Sequence, residues 1–508
     1  MAEQHHFDLL VIGGGINGCG VARDAAGRGL RVGLVEQADL AAYTSSASTK
    51  LIHGGLRYLE YLEFGLVRAA LAERTRMLAI APHLVRPQKF VLPHAEGLRP
   101  RWQLRLGLFL YDHLGQRGRL PPSRGIDLWR ELQDCPLQRR FLYGYTYADC
   151  CVDDSRLVVL NAVDAASRGA QVLLRTRLKR AEADRDGWRV ECLDLGSNRL
   201  FWLRARALVN AAGCWINPVS RAIGFRGEHP VRLVQGSHIV VQRLFEGDEA
   251  YLLQNADRRV VFAIPFEDRF TLIGTTDVPF RGELEAARIT PPEIDYLCKT
   301  VNHYFTRSIR ATDVRWAYTG VRALQDDQAS DVSQVTRDYE LVLEIAPSGS
   351  AALTVIGGKI TTYRQLAESA LALLHPYVGG PRRSWTADVP LPGGDLPGAD
   401  LTAYLQQSRQ RWPFVPAAVL ARWARAYGTR TERILGAARS MAELGEDFGG
   451  GLTAAEVDYL RENEWARSAE DVLWRRSKLG LHDVGDGVAR LQRFLRGSRS
   501  DCRVGAQT

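Results

Sequence analysis

The feature that most constrains this chain is a glycine-rich turn between two short apolar segments near its start. Residues 7–12 are apolar and end in β-branched side chains, which predicts a buried strand. Three consecutive glycines, a small-residue helix that stops at Gly29, and a second strand over 31–35 closed by Glu36 follow. In this order the parts predict a parallel βαβ unit that binds a dinucleotide, because the helix N-terminus offers free N–H groups to phosphate.

Each glycine of the turn has a separate mechanical task. Gly13 permits the tight turn, Gly15 lets a pyrophosphate approach the backbone, and Gly18 lets the helix pack closely on the strand. Glu36 follows the first glycine by about 20 residues, where a carboxylate accepts hydrogen bonds from an adenosine ribose. Asn17, inside the turn, belongs to the same set of expected cofactor contacts.

Two later segments repeat the pattern of a buried strand that runs into a small-residue turn. One ends at Ala212 and Gly213, and the other contains Gly358 and Lys359. A nicotinamide domain is normally complete within one contiguous stretch, whereas a chain that returns to its nucleotide from three distant segments favours FAD. The earlier of these two segments resembles the second element of FAD-binding two-domain oxidoreductases. For either segment alone, an ordinary strand-to-helix turn is the alternative.

Composition allows two or three domains and narrows the class of protein. A chain of 508 residues is too long to fold around a single hydrophobic core. Its content of 46% hydrophobic and 24% charged residues is ordinary for a globular protein. A formal net charge of +8 suits an anionic partner, namely a phosphorylated small molecule, an acidic lipid surface or nucleic acid. The eight cysteines show no CxxC spacing, so neither a disulfide framework nor a metal site is expected.

Targeting and membrane-spanning segments are not expected either. The first residues lead straight into a strand, which leaves no room for a signal peptide. No apolar run approaches the ~20 residues that a spanning helix needs. A membrane contact of this chain would therefore lie on the lipid surface.

The segment that follows Glu36 is the most specific one in the chain. Residues 44–60 read TSSASTKLIHGGLRYLE and resemble, almost residue for residue, the signature of the FAD-linked glycerol-3-phosphate dehydrogenases of bacteria and mitochondria. The resemblance recurs in order along nearly the whole chain, at residues 152–157, 236–241, 273–277, 320–322, 336–339, 357–364, 464–467 and 473–476. Departures are small: Cys151 stands where an aromatic residue is common, and Ala323 where proline is common.

The resemblance implies both an architecture and a reaction. The expected fold class is α/β, with a Rossmann-like FAD-binding domain interleaved with an α+β substrate domain that has an antiparallel sheet, plus a helical C-terminal domain. The reaction is hydride transfer from C2 of sn-glycerol 3-phosphate to FAD, which gives dihydroxyacetone phosphate, and the electrons then pass to a membrane quinone. The expected segments are 1–80, 145–230 and 320–385 for the FAD-binding domain, 81–144 and 231–319 for the substrate and membrane-facing domain, and 386–508 for the helical domain.

The same resemblance assigns cationic residues to parts of the substrate. Arg57 and Arg337 should clamp the phosphate, with Tyr58 and Thr275 nearby, because arginine offers a bidentate fork to an oxyanion. Arg322 should lie close to the C2 hydroxyl, where its charge would stabilise a developing alkoxide.

Proton transfer and flavin contacts complete the expected site. His238 and His53 are the candidate proton acceptors because imidazole titrates near neutrality, and a structural hydrogen bond is the alternative for either. Lys359 is expected at the pyrimidine edge of the flavin, where positive charge stabilises the reduced anion, with Thr361 on the same edge. The expected contacts to the ribityl chain and pyrophosphate are Ser45, Ser46, Ser48 and Lys50.

A basic, apolar segment over 98–120 is the candidate contact with an acidic lipid surface. At about 100° per residue, Arg101, Arg105 and Asp112 fall on one stripe, and most of the remaining circumference is apolar. A short helix of this kind with Trp102 suits shallow insertion below headgroups, and packing inside the protein is the alternative. With the family resemblance, this predicts a peripheral protein on the cytoplasmic face of the inner membrane.

The last third of the chain is predicted to be helical. A linker rich in proline and glycine spans 389–398, and the periodicity beyond it predicts helices over 417–427, 452–473 and 488–495. The expected role of this domain is structural or the formation of a homo-oligomer.

Other functions fit parts of the sequence less well. A glycerol-3-phosphate oxidase, which uses oxygen, usually carries an internal insertion, and the anaerobic dehydrogenase subunit has clustered C-terminal cysteines where this chain has only Cys502. A non-catalytic flavin scaffold would lack the set of Arg57, Arg322 and Arg337. A basic nucleic-acid binder needs exposed arginines interleaved with aromatics, whereas these arginines lie in flavoenzyme motifs, so no nucleic-acid partner is expected.

Overall fold

Two sheets with helices packed against them form the part of the chain that the computed structural model describes, residues 6–94, 99–132, 134–225, 227–257, 259–325 and 338–497. The strands are β1 His6–Ile12, β2 Val32–Glu36, β3 Leu51–Ile52, β4 Val85–Pro93, β5 Arg124–Asp127, β6 Tyr143–Val152, β7 Gln171–Leu174, β8 Thr176–Asp184, β9 Gly187–Asp194, β10 Arg199–Asn210, β11 Val231–Gln242, β12 Ala250–Gln254, β13 Val260–Phe266, β14 Phe270–Gly274, β15 Val278–Pro279, β16 Val314–Gln325, β17 Tyr339–Ile345 and β18 Ala351–Gly357. The helices are α1 Ile16–Gly27, α2 Phe64–Ile80, α3 Arg101–His113, α4 Leu128–Glu131, α5 Asp154–Ser167, α6 Ile216–Ala222, α7 Pro291–Tyr304, α8 Tyr363–Val378, α9 Leu401–Arg411, α10 Ala417–Tyr427, α11 Thr431–Leu435, α12 Ala454–Glu464 and α13 Gly487–Gly497.

The first sheet has the parallel core that the glycine fingerprint predicts. Strands β18, β10, β1, β2 and β7 lie parallel in that order, and β17 pairs antiparallel with β18. The first half of β10 extends into an antiparallel meander with β9 and β8. Helices α1, α5 and α8 share one apolar core with this sheet, and the small residues of α1 let the three helices approach each other closely.

The second sheet is mainly antiparallel, in the order β15-β11-β14-β13-β12-β4-β6-β3, with β16 paired to β11 and β5 to β6. Successive side chains of β11 point to opposite faces. Ile239 and Val241 enter the core shared with α7, whereas Val240 belongs to the core under α2 and α3. The face that carries Val240 also carries His238, which lines the cavity described below.

The limits of the predicted segments differ from the sheets at two places. Strand β6 and the end of β16 lie in the second sheet, although 145–230 and 320–385 were expected in the FAD-binding part. Most residues of both strands are apolar and at least half-buried, and such a pattern does not distinguish one sheet from the other. Pairing with a neighbouring strand determines the sheet to which each belongs: β6 pairs with β4, and β16 pairs with β11.

The C-terminal part is helical and has its own apolar core. Helix α10 has the predicted limits, but the helix predicted over 452–473 is shorter, because α12 ends at Glu464 and the next residue, Trp465, has a φ of +57°. A π-helical turn over Asp471–Arg476 follows. The predicted linker is packed against the protein, since a Cβ on Gly393 would lie 2.0 Å from the carbonyl oxygen of Tyr427. Within the described ranges, none of the helices combines the length and apolarity that crossing a membrane requires.

Candidate active site

The glycine turn after β1, called the cradle below, is too closely packed for a side chain at two of its positions. Gly13 has a φ of +116°, and a Cβ there would lie 2.4 Å from the carbonyl oxygen of Ala211. A Cβ on Gly18 would lie 1.9 Å from the carbonyl oxygen of Gly13. These contacts hold β1, α1 and the end of β10 together, and they leave the N-terminus of α1 open to a phosphate.

Glu36 closes the cradle at the end of β2. Its Oε2 accepts a hydrogen bond from the N–H of Gly14 at 2.6 Å, and its Oε1 accepts one from Ala38 at 2.7 Å. Burial is the main cause that raises the pKa of Glu36, and the backbone N–H donors oppose it. The carboxylate therefore fixes the turn in addition to its predicted place beside a ribose.

The three glycine elbows meet at one end of the first sheet. Ser45 Oγ accepts a hydrogen bond from the N–H of Ile16 at 3.0 Å, at the first turn of α1. Asn17 Nδ2 donates to the carbonyl oxygen of Gly357 at 3.1 Å, which ties α1 to the elbow after β18. A Cβ on Gly358 would lie 2.9 Å from the same Nδ2, so this approach requires glycine.

A cavity of about 600 Å³ opens between these elbows and one face of the second sheet. Most predicted site residues line it, namely Gly13, Gly15, Asn17, Glu36, Ser45, Ser48, His53, Arg57, Tyr58, Ala212, Gly213, His238, Thr275, Arg322, Gly358, Lys359 and Thr361. Gly18, Ser46 and Lys50 do not line it. Arg337, the second expected phosphate ligand, lies outside the described residues.

Lys50 points away from the cavity, into the protein. Its Nζ donates to Asp154 Oδ1 at 2.7 Å and to the carbonyl oxygen of Ser46 at 3.0 Å. Ser48 Oγ donates to the other carboxylate oxygen of Asp154 at 2.8 Å. Burial lowers the pKa of Lys50, and the charge of Asp154 opposes this. Lys50 therefore stabilises the conformation of residues 46–50 from the side that faces away from the cavity.

Arg322 reaches the cavity from β16. Its Nη1 donates to Asp277 Oδ1 at 2.8 Å, and its Nη2 donates to Thr275 Oγ1 at 3.3 Å. Gly236 on the paired strand β11 leaves the space that the guanidinium occupies, because a Cβ on Gly236 would lie 2.1 Å from Nη2. Two residues of the motif 273–277 thus fix the position of the Arg322 guanidinium.

His238 is buried and lies beside the motif 273–277. Thr49 Oγ1 is 3.0 Å from its Nε2, and its ring stacks on Tyr318 with centroids 4.9 Å apart. Burial first, and then the charge of Arg322, lowers the pKa of His238 well below its usual range. The imidazole is therefore neutral at physiological pH.

Residues 53–58, called loop 53–58 below, cover another side of the cavity. The N–H of His53 donates to Thr361 Oγ1 at 3.4 Å. Lys359 Nζ lies 3.8 Å from the ring centroid of Tyr58, and Arg57 Nη2 donates to Tyr61 Oη at 3.4 Å. Three cations, from β16, this loop and the third elbow, thus line the same cavity.

Three acidic residues of the cavity wall, Asp149, Asp277 and Glu285, were not predicted as site residues. Asp277 pairs with Arg322, and Asp149 on β6 receives hydrogen bonds from Arg74 and Tyr111. Asp277 stands inside a motif that the sequence analysis singled out, so a charge count along that motif would have found it. Asp149 lies in an apolar strand with no local signal, and its partners lie on two helices distant in sequence.

The comparisons with known proteins agree with this geometry. Residues 8–364 match the family described as FAD dependent oxidoreductase, and residues 384–498 match the C-terminal domain of alpha-glycerophosphate oxidase. The chain belongs to the FAD-dependent oxidoreductase family. The predicted resemblance within this family is also confirmed, because a glycerol-3-phosphate dehydrogenase of Pseudomonas aeruginosa is 50% identical over 490 residues, 96% of this chain and 95% of that protein.

Two further relatives bear on the fold and on the substrate of this FAD-dependent oxidoreductase. A D-erythritol 1-phosphate dehydrogenase of Brucella abortus is 49% identical over 488 residues, 95% of this chain and 96% of that protein. The structure of a glycerol-3-phosphate dehydrogenase from Bacillus halodurans in complex with FAD has a TM-score of 0.76 at 26% identity, and covers 98% of this chain and 95% of that one. The predicted fold class is confirmed.

The cavity of this FAD-dependent oxidoreductase fits its cofactor. Gly13, Gly15 and Asn17 of the turn after β1 line the cavity, and the lack of a side chain on the two glycines lets a pyrophosphate approach the backbone at the N-terminus of α1. Glu36 lies at the end of β2, at the place of a ribose ligand. Lys359 and Thr361 follow the third elbow, and they line the cavity together with His53 and Arg322.

Proposed function

We propose that this flavoenzyme oxidises sn-glycerol 3-phosphate to dihydroxyacetone phosphate. The observation that carries the proposal is the convergence of Arg57, Arg322 and Lys359 on one cavity that also contains the buried, neutral His238. A phosphomonoester of charge near −2 requires such cationic donors, and an alcohol requires a proton acceptor. Relatives that share about half of the sequence are named as dehydrogenases of phosphorylated polyols.

The residues divide the reaction between binding and proton transfer. Bound FAD supplies the acceptor for the hydride that leaves C2. Arg57 holds the phosphate, which places C2 at a fixed depth in the cavity. His238 accepts the proton of the C2 hydroxyl, and Arg322 stabilises the negative charge that develops on that oxygen. Asp277 and Thr275 keep the guanidinium of Arg322 in place.

We further propose a membrane quinone as electron acceptor and peripheral attachment to the inner membrane through α3. This helix buries Leu104, Leu108 and Tyr111, whereas Trp102 is 69% exposed and Leu106 and Phe109 are about half exposed. Arg101 and Arg105 border this apolar face. An exposed apolar face with a basic border suits shallow insertion below acidic headgroups, where a quinone is available.

Anaerobic reduction of the bound flavin tests the proposed reaction. We expect sn-glycerol 3-phosphate to bleach the flavin absorbance in stopped-flow, glycerol to leave it unchanged, and a soluble quinone to restore it faster than oxygen does. Faster bleaching by D-erythritol 1-phosphate would reassign the substrate, and faster recovery with oxygen would make the protein an oxidase. A flavin that neither substrate bleaches would contradict the proposal.

A pair of arginine variants tests the phosphate contact. We expect Arg57→Gln to raise KM for sn-glycerol 3-phosphate by about a hundredfold, because two charge-assisted hydrogen bonds are lost. The matched control is Arg68→Gln, which changes an exposed arginine on α2 and should leave KM unchanged. Equal KM values for the two variants would remove Arg57 from the site.

A further inference from the structure

Tyr111, on the buried face of α3, connects this helix to loop 53–58. Its phenol oxygen accepts a hydrogen bond from the N–H of Gly54 at 2.7 Å and lies 2.8 Å from both carboxylate oxygens of Asp149. The side chain is fully enclosed, and neither the nucleotide cradle nor the cation set uses it. One hydroxyl thus joins helix α3, strand β6 and the loop that carries Arg57.

The direction of these hydrogen bonds is fixed. The amide of Gly54 can only donate, so the single proton of the phenol must point to Asp149. Burial is the main cause that raises the pKa of Tyr111 well above its usual value, and the charge of Asp149 adds to it, so the phenol keeps its proton. The carboxylate polarises the phenol oxygen and strengthens it as an acceptor for the Gly54 amide.

Arg74 on α2 also binds Asp149. Its Nη1 donates to Asp149 Oδ1 at 2.6 Å and to the carbonyl oxygen of Ala148 at 3.0 Å. Both side chains of this ion pair are 3% exposed, so the charge of Asp149 is neutralised inside the protein and screened little by water. The carboxylate therefore has a defined position from which it orients Tyr111.

Loop 53–58 is closely packed at the point that Tyr111 holds. A Cβ on Gly54 would lie 2.6 Å from Leu71 and 2.8 Å from the phenol oxygen of Tyr111. Gly55 has a φ of +78°, and a Cβ there would lie 2.2 Å from the ring of Tyr58. A shift at Gly54 would therefore move Tyr58 and its neighbour Arg57 in the cavity wall.

We propose that Tyr111, held by Asp149 and Arg74, is a positioning residue for loop 53–58 and, through the loop, for the phosphate of the substrate. The part on phosphate rests on the proposed function, whereas the part on the loop stands on the geometry alone. Tyr111 does not line the cavity. Its removal should therefore act on substrate affinity more than on the rate of hydride transfer.

The experiment compares two tyrosine-to-phenylalanine variants of the flavin-loaded protein. Tyr111→Phe removes the hydroxyl that bonds Gly54 but keeps the buried ring. Tyr145→Phe is the matched control, because Tyr145 is equally buried and its hydroxyl donates at 2.9 Å to the carbonyl oxygen of Arg101, at the start of α3, and not to the loop. Tyr111→Phe loses the hydrogen bond from Gly54 and the one to Asp149, whereas Tyr145→Phe loses the hydrogen bond from β6 to the start of α3.

Two readouts decide the proposal. Tyr111→Phe should raise KM for sn-glycerol 3-phosphate about tenfold and change kcat less than about threefold, while Tyr145→Phe changes neither. Hydrogen–deuterium exchange of the peptide that covers residues 53–58 should be faster in Tyr111→Phe only, and this readout needs no substrate.

Unchanged exchange in Tyr111→Phe, or equal effects of the two substitutions, would overturn the positioning role. A failure of the proposed function has a different signature, because the unsubstituted protein would then not reduce its flavin with sn-glycerol 3-phosphate. The exchange comparison would still decide whether Tyr111 holds the loop.

Discussion

The protonation state of a single buried residue, His238, follows from what surrounds it. Its side chain is 1% exposed, and the ring is enclosed by Tyr318, Thr49 and the backbone of Gly274, where a Cβ would lie 2.0 Å from the ring. Burial and the neighbouring charge of Arg322 both disfavour the protonated imidazole. A neutral base in the cavity is thus a consequence of packing.

The pH dependence of flavin reduction tests this state. Only the neutral imidazole accepts a proton, and a lowered pKa delays its protonation to lower pH. The rate of reduction by sn-glycerol 3-phosphate should therefore stay constant as the pH falls through the usual titration range of histidine, and decline only below it. Stopped-flow measurements of the flavin absorbance across this range give the profile.

Two variants separate His238 from other histidines. His238→Asn should lower the rate constant by about 100- to 10,000-fold and remove the acid decline. His482→Asn, whose ring packs on Phe270 away from the cavity, should leave the profile unchanged. An acid decline that persists in His238→Asn would transfer the role of proton acceptor to His53.

At the scale of secondary structure, helix α3 has two faces with different tasks. The inner face packs on the second sheet and carries Tyr111. Arg105 and Asp112, which lie on one stripe of the helix, both form hydrogen bonds with Ser123. The outer face exposes Trp102 and Phe109. The two sequence interpretations of this segment, lipid contact and internal packing, thus apply to opposite faces of one helix.

Vesicle binding tests the outer face. The double variant Trp102→Gln and Phe109→Gln should weaken binding to vesicles that contain acidic lipid by more than about tenfold, because each aromatic ring contributes roughly 2 kcal/mol of apolar burial. Co-sedimentation with the vesicles measures the effect. Flavin reduction in solution should stay unchanged.

The matched control changes two exposed leucines of the first sheet. Leu195→Gln and Leu200→Gln remove similar apolar side chains that are 40% and 53% exposed near the β9–β10 turn, and they should leave vesicle binding intact. Equal co-sedimentation of both double variants would argue against α3 as the membrane contact.

For the whole molecule, buried charges join the C-terminal helices to the FAD-binding part. Arg476 donates two hydrogen bonds to Asp39 at 2.8 and 2.9 Å, and Arg475 adds a third at 2.7 Å. Asp39 lies just beyond Glu36, in the turn that borders the cradle. Arg156 on α5 forms a second buried pair with Glu464 on α12. The C-terminal part therefore stabilises the turn that contains Asp39, next to the cofactor site.

Loss of one partner of this contact should loosen the cofactor. Asp39→Asn removes the carboxylate that Arg475 and Arg476 share, while Arg475 keeps its pairs with Glu470 and Asp471. Removal of one partner of a buried ion pair costs about 3 to 5 kcal/mol, and the remaining carboxylates place this loss at the lower end. The temperature at which flavin fluorescence appears on heating should fall by several degrees. Glu432→Gln, which breaks the exposed pair with Arg411, should shift it little. Equal release temperatures would show that Asp39 does not support the cofactor site.

The sequence by itself determined the local units and the chemistry of the site. The fingerprint from β1 to Glu36, the two later elbows and the helix α10 follow from the spacing of glycines and apolar residues, which acts within a few turns or strands. The motif resemblance supplied the reaction class and the candidate substrate contacts, of which Arg57, Tyr58, Thr275 and Arg322 line the cavity. These signals lie within short segments or come from resemblance to a known family. Neither kind requires knowledge of which distant residues contact each other.

Only the tertiary structure decided which residues meet. Lys50 was predicted at the cofactor, but its burial beside Asp154, about a hundred residues further on, turns it inwards. Tyr111 and Gly54 also become partners only when α3 packs on the second sheet. A buried polar group must find a partner, and that partner comes from whichever segment the assembled sheets bring close, which no local pattern encodes.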